Sequence, residues 1–174
     1  MGQWCAIVGR SKLEKDRVAL GIAEALSARG IRVGGFVQLR AYDADGELEG
    51  WDLCRVRDGV RKPLARRSSD PDLCSYRFDD QGFAVAGAWS RGEPTEVVFI
   101  GGVGKLEAAE RGHWPVLAEL VNEERGPVVV ACIRDTSLAT VALKLPDPAL
   151  ALELPAEADA VREFTDAVAA LTTA

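Results

Sequence analysis

Residues 4–17 read WCAIVGRSKLEKDR, and this stretch decides the fold. A short apolar run over residues 4–8 ends at Gly9, and a polar loop follows it. Apolar residues then recur at helical spacing; they are Leu13, Val18, Leu20, Ile22, Ala23 and Leu26. The pattern predicts a buried strand, a glycine turn and a helix. Because the N–H groups at a helix N-terminus are unpaired and the helix dipole is positive there, this turn is suited to binding an anion.

Residues 9–16 match part of the phosphate-loop pattern G-x-x-x-x-G-K-[ST]. Gly9 and Lys15 are in register with the first glycine and the lysine, whereas Glu14 replaces the second glycine and Asp16 replaces the hydroxyl residue. Glu14 places a side chain and a negative charge where backbone should approach phosphate, while Asp16 is still able to contact magnesium. The stretch is either a plain strand-to-helix turn or a site for a nucleotide or another anion. The candidate binding residues are Gly9, Arg10, Ser11, Lys12, Lys15 and Asp16.

Composition narrows the class of protein. The chain has 174 residues, which favours one domain spanning 1–174, and its formal net charge of −6 argues against nucleic-acid binding. We find no leader and no apolar run of membrane-spanning length, so we expect a cytoplasmic protein without membrane contact. The four cysteines form no CxxC pair, and we predict no metal site among them.

Strand and helix patterns alternate along the rest of the chain. The pattern changes from helical to extended at residues 31–38, which predicts a second strand. Apolar runs at residues 96–100 and 127–133 indicate buried strands, and residues 149–154 a short one. Helical spacing follows at about residues 106–122, 138–143 and 158–172. The order predicts a three-layer α/β domain with a mostly parallel sheet. Ligands bind at the carboxyl ends of such strands, so residues 9–16, 101–107 and 134–137 are expected to converge.

Residues 42–85 interrupt this alternation. Asp45-Gly46 predicts a β-hairpin inserted after the second strand. The arginine-rich residues 60–77 are either a solvated loop or a mobile basic flap over an anionic ligand. A small hairpin or an edge strand is predicted at residues 76–85, and a short helix at residues 84–91.

Several short motifs occur in a recognisable order. Residues 30–36 read GIRVGGF, residues 50–53 read GWDL, residues 63–65 read PLA and residues 104–107 read GKLE. With the opening loop, they resemble the small P-loop nucleoside-triphosphatase family of bacteria and archaea. They resemble more closely its divergent bacterial relatives of unknown function, some encoded beside molybdenum-uptake genes, and the molybdopterin-guanine dinucleotide adaptor proteins share the opening. The resemblance implies a P-loop NTPase-like domain with an inserted β-hairpin, and ATP or GTP with magnesium as ligands.

The departures from this family concern its catalytic residues. Active members carry an acidic pair after the third core strand, where this chain has Gly101 and Gly102. The resemblance also implies a second loop through Lys105 and Glu107, although a carboxylate in the first turn of a helix explains Glu107 equally well. Lys15 is the best candidate for a retained phosphate contact.

Two classes of function follow. The first is a degenerate P-loop protein that binds a nucleotide or an anionic small molecule with weak or no hydrolysis. The second is a non-enzymatic adaptor that keeps the fold and binds a protein partner through residues 42–77. A different small-molecule enzyme on the same fold is a third interpretation, since a fold does not determine function.

Overall fold

The computed structural model describes residues 2–10 and 15–174, so the candidate residues Ser11, Lys12 and Glu14 lie outside the described part. The strands are β1 (Trp4–Gly9), β2 (Val33–Tyr42), β3 (Leu48–Arg55), β4 (Arg61–Arg67), β5 (Tyr76–Phe78), β6 (Val97–Val103), β7 (Val128–Arg134) and β8 (Leu150–Glu153). The helices are α1 (Lys15–Ala28), α2 (Asp80–Arg91), α3 (Lys105–Ala108), α4 (Trp114–Asn122), α5 (Asp135–Ala142) and α6 (Ala158–Leu171). No helix formed by residues 2–10 and 15–174 is long and apolar enough to cross a membrane.

The strands form one sheet in the order β5-β4-β3-β2-β6-β7-β1-β8. The five strands from β2 to β8 in this order run parallel, and β3, β4 and β5 extend the sheet as an antiparallel meander. Helices cover both faces: α2, α4 and α5 pack on one core cluster, and α1 and α6 pack on the other. The predicted three-layer α/β fold with a mostly parallel sheet is confirmed.

The topology creates a crevice beside β1. The chain leaves β1 through α1 on one face of the sheet, whereas it leaves the neighbouring β7 through α5 on the opposite face. Diverging connections of this kind open a gap at the carboxyl ends of the two strands, which is where α/β sheets bind ligands. Gly9 and Arg134 are paired in the β1–β7 ladder and mark this point.

The prediction for residues 60–77 was wrong over Arg61–Arg67. These residues form β4, paired with β3, because Leu64 and Ala65 are both buried and the backbone completes the ladder. Arg61 and Arg66 both bind the carboxylate of Asp52 on β3. This part is therefore neither a solvated loop nor a mobile flap.

Two further element boundaries differ from the prediction. Residues 79–82 begin helix α2 rather than a hairpin, because Asp79 accepts a hydrogen bond from the Gln81 N–H and caps it; the predicted edge strand is confirmed as β5. The helix predicted over about 106–122 is divided into α3 and α4. Glu110 and Gly112, with φ of 59° and 61°, adopt the left-handed conformation, which ends a helix.

Candidate functional site

A cleft of about 620 Å³ lies at the carboxyl ends of the parallel strands, within the range of about 300–1,000 Å³ usual for small-molecule sites. Strand β2 pairs with β6 only as far as Phe36. Its later residues are paired with β3, and Gln38, Leu39 and Arg40 among them form a side wall of the cleft. The start of α1, the end of β6 and α3 supply the other walls. The cleft therefore extends from the start of α1 to the antiparallel extension of the sheet.

Basic side chains outnumber acidic ones around the cleft. The basic ones that line it are Lys15, Arg17, Arg40, Lys105 and Arg134, and the acidic ones are Asp16 and Glu107. This excess of positive charge is local, since the whole chain has a net charge of −6. A cleft lined mainly by one sign of charge concentrates ligands of the opposite sign. The described lining thus favours an anionic ligand.

Lys15 is the first described residue of α1 and is almost buried, with 7% of its surface exposed. Its Nζ donates a hydrogen bond to the carbonyl oxygen of Arg10, 3.2 Å away, at the end of β1. Burial lowers the pKa of Lys15, and the neighbouring Asp16 opposes that shift. The ammonium group is therefore held beside the end of β1, at the crevice that the topology creates.

Asp16 connects α1 to β2. Its Oδ1 accepts a hydrogen bond of 2.8 Å from the N–H of Gln38. Burial raises the pKa of Asp16 to about 6, although the Gln38 N–H and Lys15 both act to lower it. The carboxylate is thus mostly ionised at neutral pH, and ionisation costs folding energy.

Gly101 and Gly102 belong to β6, which runs to Val103 rather than ending at residue 100 as predicted. A Cβ at Gly101 would overlap Asp16 Oδ1 and come within 2.6 Å of Val37 Cα. Gly102 has φ of +69°, and a Cβ there would overlap the side chain of Gln38. The Asp16 carboxylate consequently occupies the space into which a side chain at position 101 would project.

Glu107 organises the loop at the mouth of the cleft. Its Oε1 accepts the N–H of Gly104 at 2.9 Å, and its Oε2 accepts the N–H of His113 at 2.8 Å. Burial raises the pKa of Glu107, and the two N–H groups oppose this shift. Both oxygens are used to hold residues 104–113, so Glu107 shapes the cleft rather than offering an oxygen to a ligand.

His113 is a buried structural side chain next to this loop. Its ring lies between Phe36 and Phe83, with centroid distances of 4.5 and 4.9 Å, and burial lowers its pKa to about 3. The Nε2 atom is 2.6 Å from Gln38 Oε1. Neutral His113 therefore fixes the side chain of Gln38 in the cleft wall.

Only some of the predicted candidate residues line the cleft. Lys15, Asp16, Gly102, Lys105 and Glu107 line the cleft together. Gly9 is the last residue of β1, and the carbonyl oxygen of the following Arg10 accepts a hydrogen bond from Lys15. Lys105 is an exposed residue whose Nζ lies 3.7 Å from Cys74 Sγ. Arg134, from the segment 134–137 expected to converge there, also lines the cleft, whereas sequence reasoning missed the wall residues Gln38, Arg40, Trp51 and Tyr76. The signal for them was present only in β2, where polar residues interrupt an otherwise apolar strand.

The P-loop fold implies magnesium, and the described residues fit it only in part. Residues 2–10 and 15–174 contain no group of three or more His, Cys, Asp or Glu side chains able to hold a metal ion. Magnesium is commonly bound through one or two carboxylates together with substrate phosphates. Asp16 is suited to this role beside Lys15, whereas the oxygens of Glu107 are engaged.

Gly101→Ala is expected to lower the free energy of unfolding by about 2 kcal/mol, because overpacking of this size costs about 1–3 kcal/mol. The added methyl group meets the backbone of β2 as well as Asp16, so Asp16→Ala will not fully rescue it. Gly104→Ala is the matched control, since a Cβ there meets nothing within 4 Å. Urea denaturation tests the prediction, and equal stability of the two variants would contradict it.

Asp16→Asn tests the electrostatics. With a pKa of about 6 in the folded protein, against an ordinary 3.8, Asp16 keeps its proton to higher pH in the folded than in the unfolded state. Stability therefore falls as pH rises from about 4 to 6 in the wild type. Between pH 4 and pH 7 the asparagine variant should gain about 2 kcal/mol relative to the wild type, at about 1.4 kcal/mol per pKa unit. Parallel stability–pH curves for the two proteins would refute the assignment.

Comparison with known proteins gives one family and two informative structures. The sequence model of a family described as "Protein of unknown function (DUF2478)" matches residues 4–163. No curated protein matches the sequence. The solution structure of a human cancer-related nucleoside triphosphatase is similar, with a TM-score of 0.74, 16% identity and 99% coverage of each chain. The crystal structure of THEP1 from the hyperthermophile Aquifex aeolicus is also similar, with a TM-score of 0.68 and 16% identity, over 95% of this chain and 99% of that one. At this identity the likeness shows a shared P-loop NTPase-like fold.

Proposed function

The chain belongs to the DUF2478 family of proteins of unknown function, and we propose that it is a degenerate P-loop protein that binds a nucleotide with weak or no hydrolysis. The proposed binding site comprises residues 9–16 between β1 and α1, of which Lys15 and Asp16 line the cleft. The proposal rests mainly on Lys15. Its ammonium group is held at the start of α1, at the crevice between β1 and β7.

Three observations support an anionic ligand of nucleotide size. The cleft has a suitable volume, its charged lining is mainly basic, and the N-terminal end of α1 is directed to it through Lys15 and Asp16. A lysine ammonium contacts phosphate as a point charge and does not need the second loop glycine. The fold shared with a protein described as a nucleoside triphosphatase supports a nucleotide as the ligand.

We expect weak hydrolysis because the described cleft residues include few carboxylates free to bind magnesium or to orient a water molecule. Phosphoanhydride hydrolysis depends on positioning and on the neutralisation of developing charge by magnesium and basic groups. At the end of β6, Gly101 and Gly102 provide no side chain, and the cleft residue Glu107 is bound to two backbone N–H groups. Asp16 would hold magnesium together with the phosphates, and the ion would neutralise phosphate charge. No other described cleft carboxylate is placed to orient a water molecule.

Isothermal titration of the wild-type protein with ATP and GTP, each with and without magnesium, tests binding. Phosphate release measured at saturating nucleotide then tests hydrolysis. We expect saturable binding, strengthened by magnesium through Asp16, and turnover close to the background rate. Absence of binding at millimolar nucleotide would refute the proposal. Rapid magnesium-dependent turnover that Asp16→Asn abolishes would refute the proposal of weak or no hydrolysis. The proposal that the protein binds a nucleotide would still stand.

A further inference from the structure

The far end of the cleft is formed by side chains of the antiparallel extension. Residues 38 and 40 of β2 lie on the same face, since side chains alternate along a strand. Arg40 is the ladder partner of Trp51 on β3, and its Cζ lies 5.8 Å from the centre of the Trp51 ring. Tyr76 of β5 contacts the same ring edge to face, with centroids 6.5 Å apart. We name Arg40, Trp51 and Tyr76 the aromatic wall.

The aromatic wall is continuous with the phosphate end of the cleft. Gln38, which binds Asp16 through its N–H, is two residues before Arg40 on β2. At about 3.3 Å per residue the two positions are about 7 Å apart along the strand. Lys15 and Trp51 both line this one cleft, so a single ligand of moderate size is able to contact both.

The lining of the far end differs in character from that of the phosphate end. The cleft-lining side chains that the antiparallel extension supplies there are apolar or aromatic; they are Leu48, Trp51, Leu73, Tyr76 and Phe78. An inorganic oxyanion would leave this apolar surface exposed to water, so the surface would add nothing to its binding free energy. A planar heterocycle would bury it, because aromatic rings and guanidinium planes both stack on nucleobases.

We propose that the aromatic wall binds the planar heterocycle of the ligand, so that the cleft takes a phosphorylated heterocycle such as a nucleoside triphosphate and rejects bare inorganic polyphosphate. This inference rests on the proposed function, because it assumes that the phosphates bind at Lys15. It also assigns Trp51 and Tyr76, which belong to the segment 42–77, to ligand recognition instead of to a protein partner. The arginines of β4 fit this assignment, since Arg61 and Arg66 are paired with Asp52 on the sheet itself.

The experiment compares the affinities of the wild type, Trp51→Ala and Trp51→Phe for ATP, GTP and inorganic triphosphate. Trp51→Ala should weaken ATP and GTP by about 10-fold, in line with the usual cost of removing one stacking ring. Trp51→Phe should restore most of that loss, and neither change should alter the affinity for triphosphate by more than about two-fold. Tyr42→Ala, at an exposed tyrosine outside the cleft lining, is the matched control and should bind like the wild type.

The outcomes separate this inference from the function on which it rests. If the wild type binds triphosphate as tightly as ATP, and a folded Trp51→Ala binds ATP like the wild type, phosphate binding stands and the aromatic wall is refuted. If the wild type binds none of the three ligands, both proposals fail. If Trp51→Ala does not fold, two other measurements test the inference. Tyr76→Ala should weaken ATP binding, and ATP should quench the tryptophan fluorescence of the wild type but not that of Trp51→Phe. Unchanged ATP affinity in Tyr76→Ala together with identical quenching in both proteins would then overturn the inference.

Discussion

Lys15→Met is expected to weaken the binding of ATP and GTP by about 100-fold. Methionine keeps the length and apolar stem of a side chain that is only 7% exposed, but it removes the ammonium group held at the Arg10 carbonyl. A hydrogen bond to a charged group contributes about 1.5–3 kcal/mol, and every 1.4 kcal/mol is tenfold in affinity. Isothermal titration under identical salt measures the difference.

The control for Lys15→Met is Lys62→Met, which removes the same charge from an exposed position of β4 outside the cleft lining. It should leave nucleotide affinity within about two-fold of the wild type, since exposed charges beyond a Debye length of about 8–10 Å are largely screened. Equal losses in the two variants would mean that general electrostatic attraction, rather than a contact at Lys15, explains binding.

Glu107→Ala is expected to lower the free energy of unfolding by about 3 kcal/mol. The change leaves the N–H groups of Gly104 and His113 without their acceptor, and each unsatisfied buried N–H costs about 1–3 kcal/mol. The His113 bond is fully buried, so water cannot replace it without a local rearrangement. Chemical denaturation monitored by circular dichroism measures the loss.

Glu107→Gln should fall between the wild type and the alanine variant, because one amide oxygen still accepts while the amide NH₂ opposes a backbone donor. Glu124→Ala, an exposed carboxylate beyond α4, is the control and should change stability by less than about 0.5 kcal/mol. A Glu107→Ala protein as stable as Glu124→Ala would show that the carboxylate does not hold residues 104–113 in solution.

The parallel core was accessible from sequence because its strands are buried on both faces. The apolar runs at residues 96–100 and 127–133 predicted β6 and β7 to within three residues at each end. Strand β4 was not accessible, since Arg61 and Arg66 gave it the composition of a solvated loop, and only their pairing with Asp52 explains how the strand tolerates them. The polar residues around Asp79 show no apolar periodicity. The sequence therefore predicted a turn there, although Asp79 caps a helix.

Only part of the candidate site could be predicted from the sequence, because several of its contacts join residues that are far apart in the chain. Motif register located Lys15 and Asp16 as candidates, and both line the cleft. The contact between Asp16 and Gly101 joins residues far apart in the chain, so no local pattern revealed that one carboxylate fills the space beside β6. Trp51 belonged to a predicted hairpin, and its approach to the cleft depends on β2 continuing, paired with β3, past its last pair with β6.

Nucleotide binding at Lys15 is tested most directly by a ¹H–¹⁵N correlation spectrum of the labelled protein, recorded with and without magnesium-ATP. The predicted result is that shift changes concentrate on the backbone amides of Gly9, Arg10 and Lys15 at the phosphate end and on the indole N–H of Trp51 at the aromatic wall. Saturating shifts confined to residues outside the cleft, or no shifts at millimolar ATP, would contradict it.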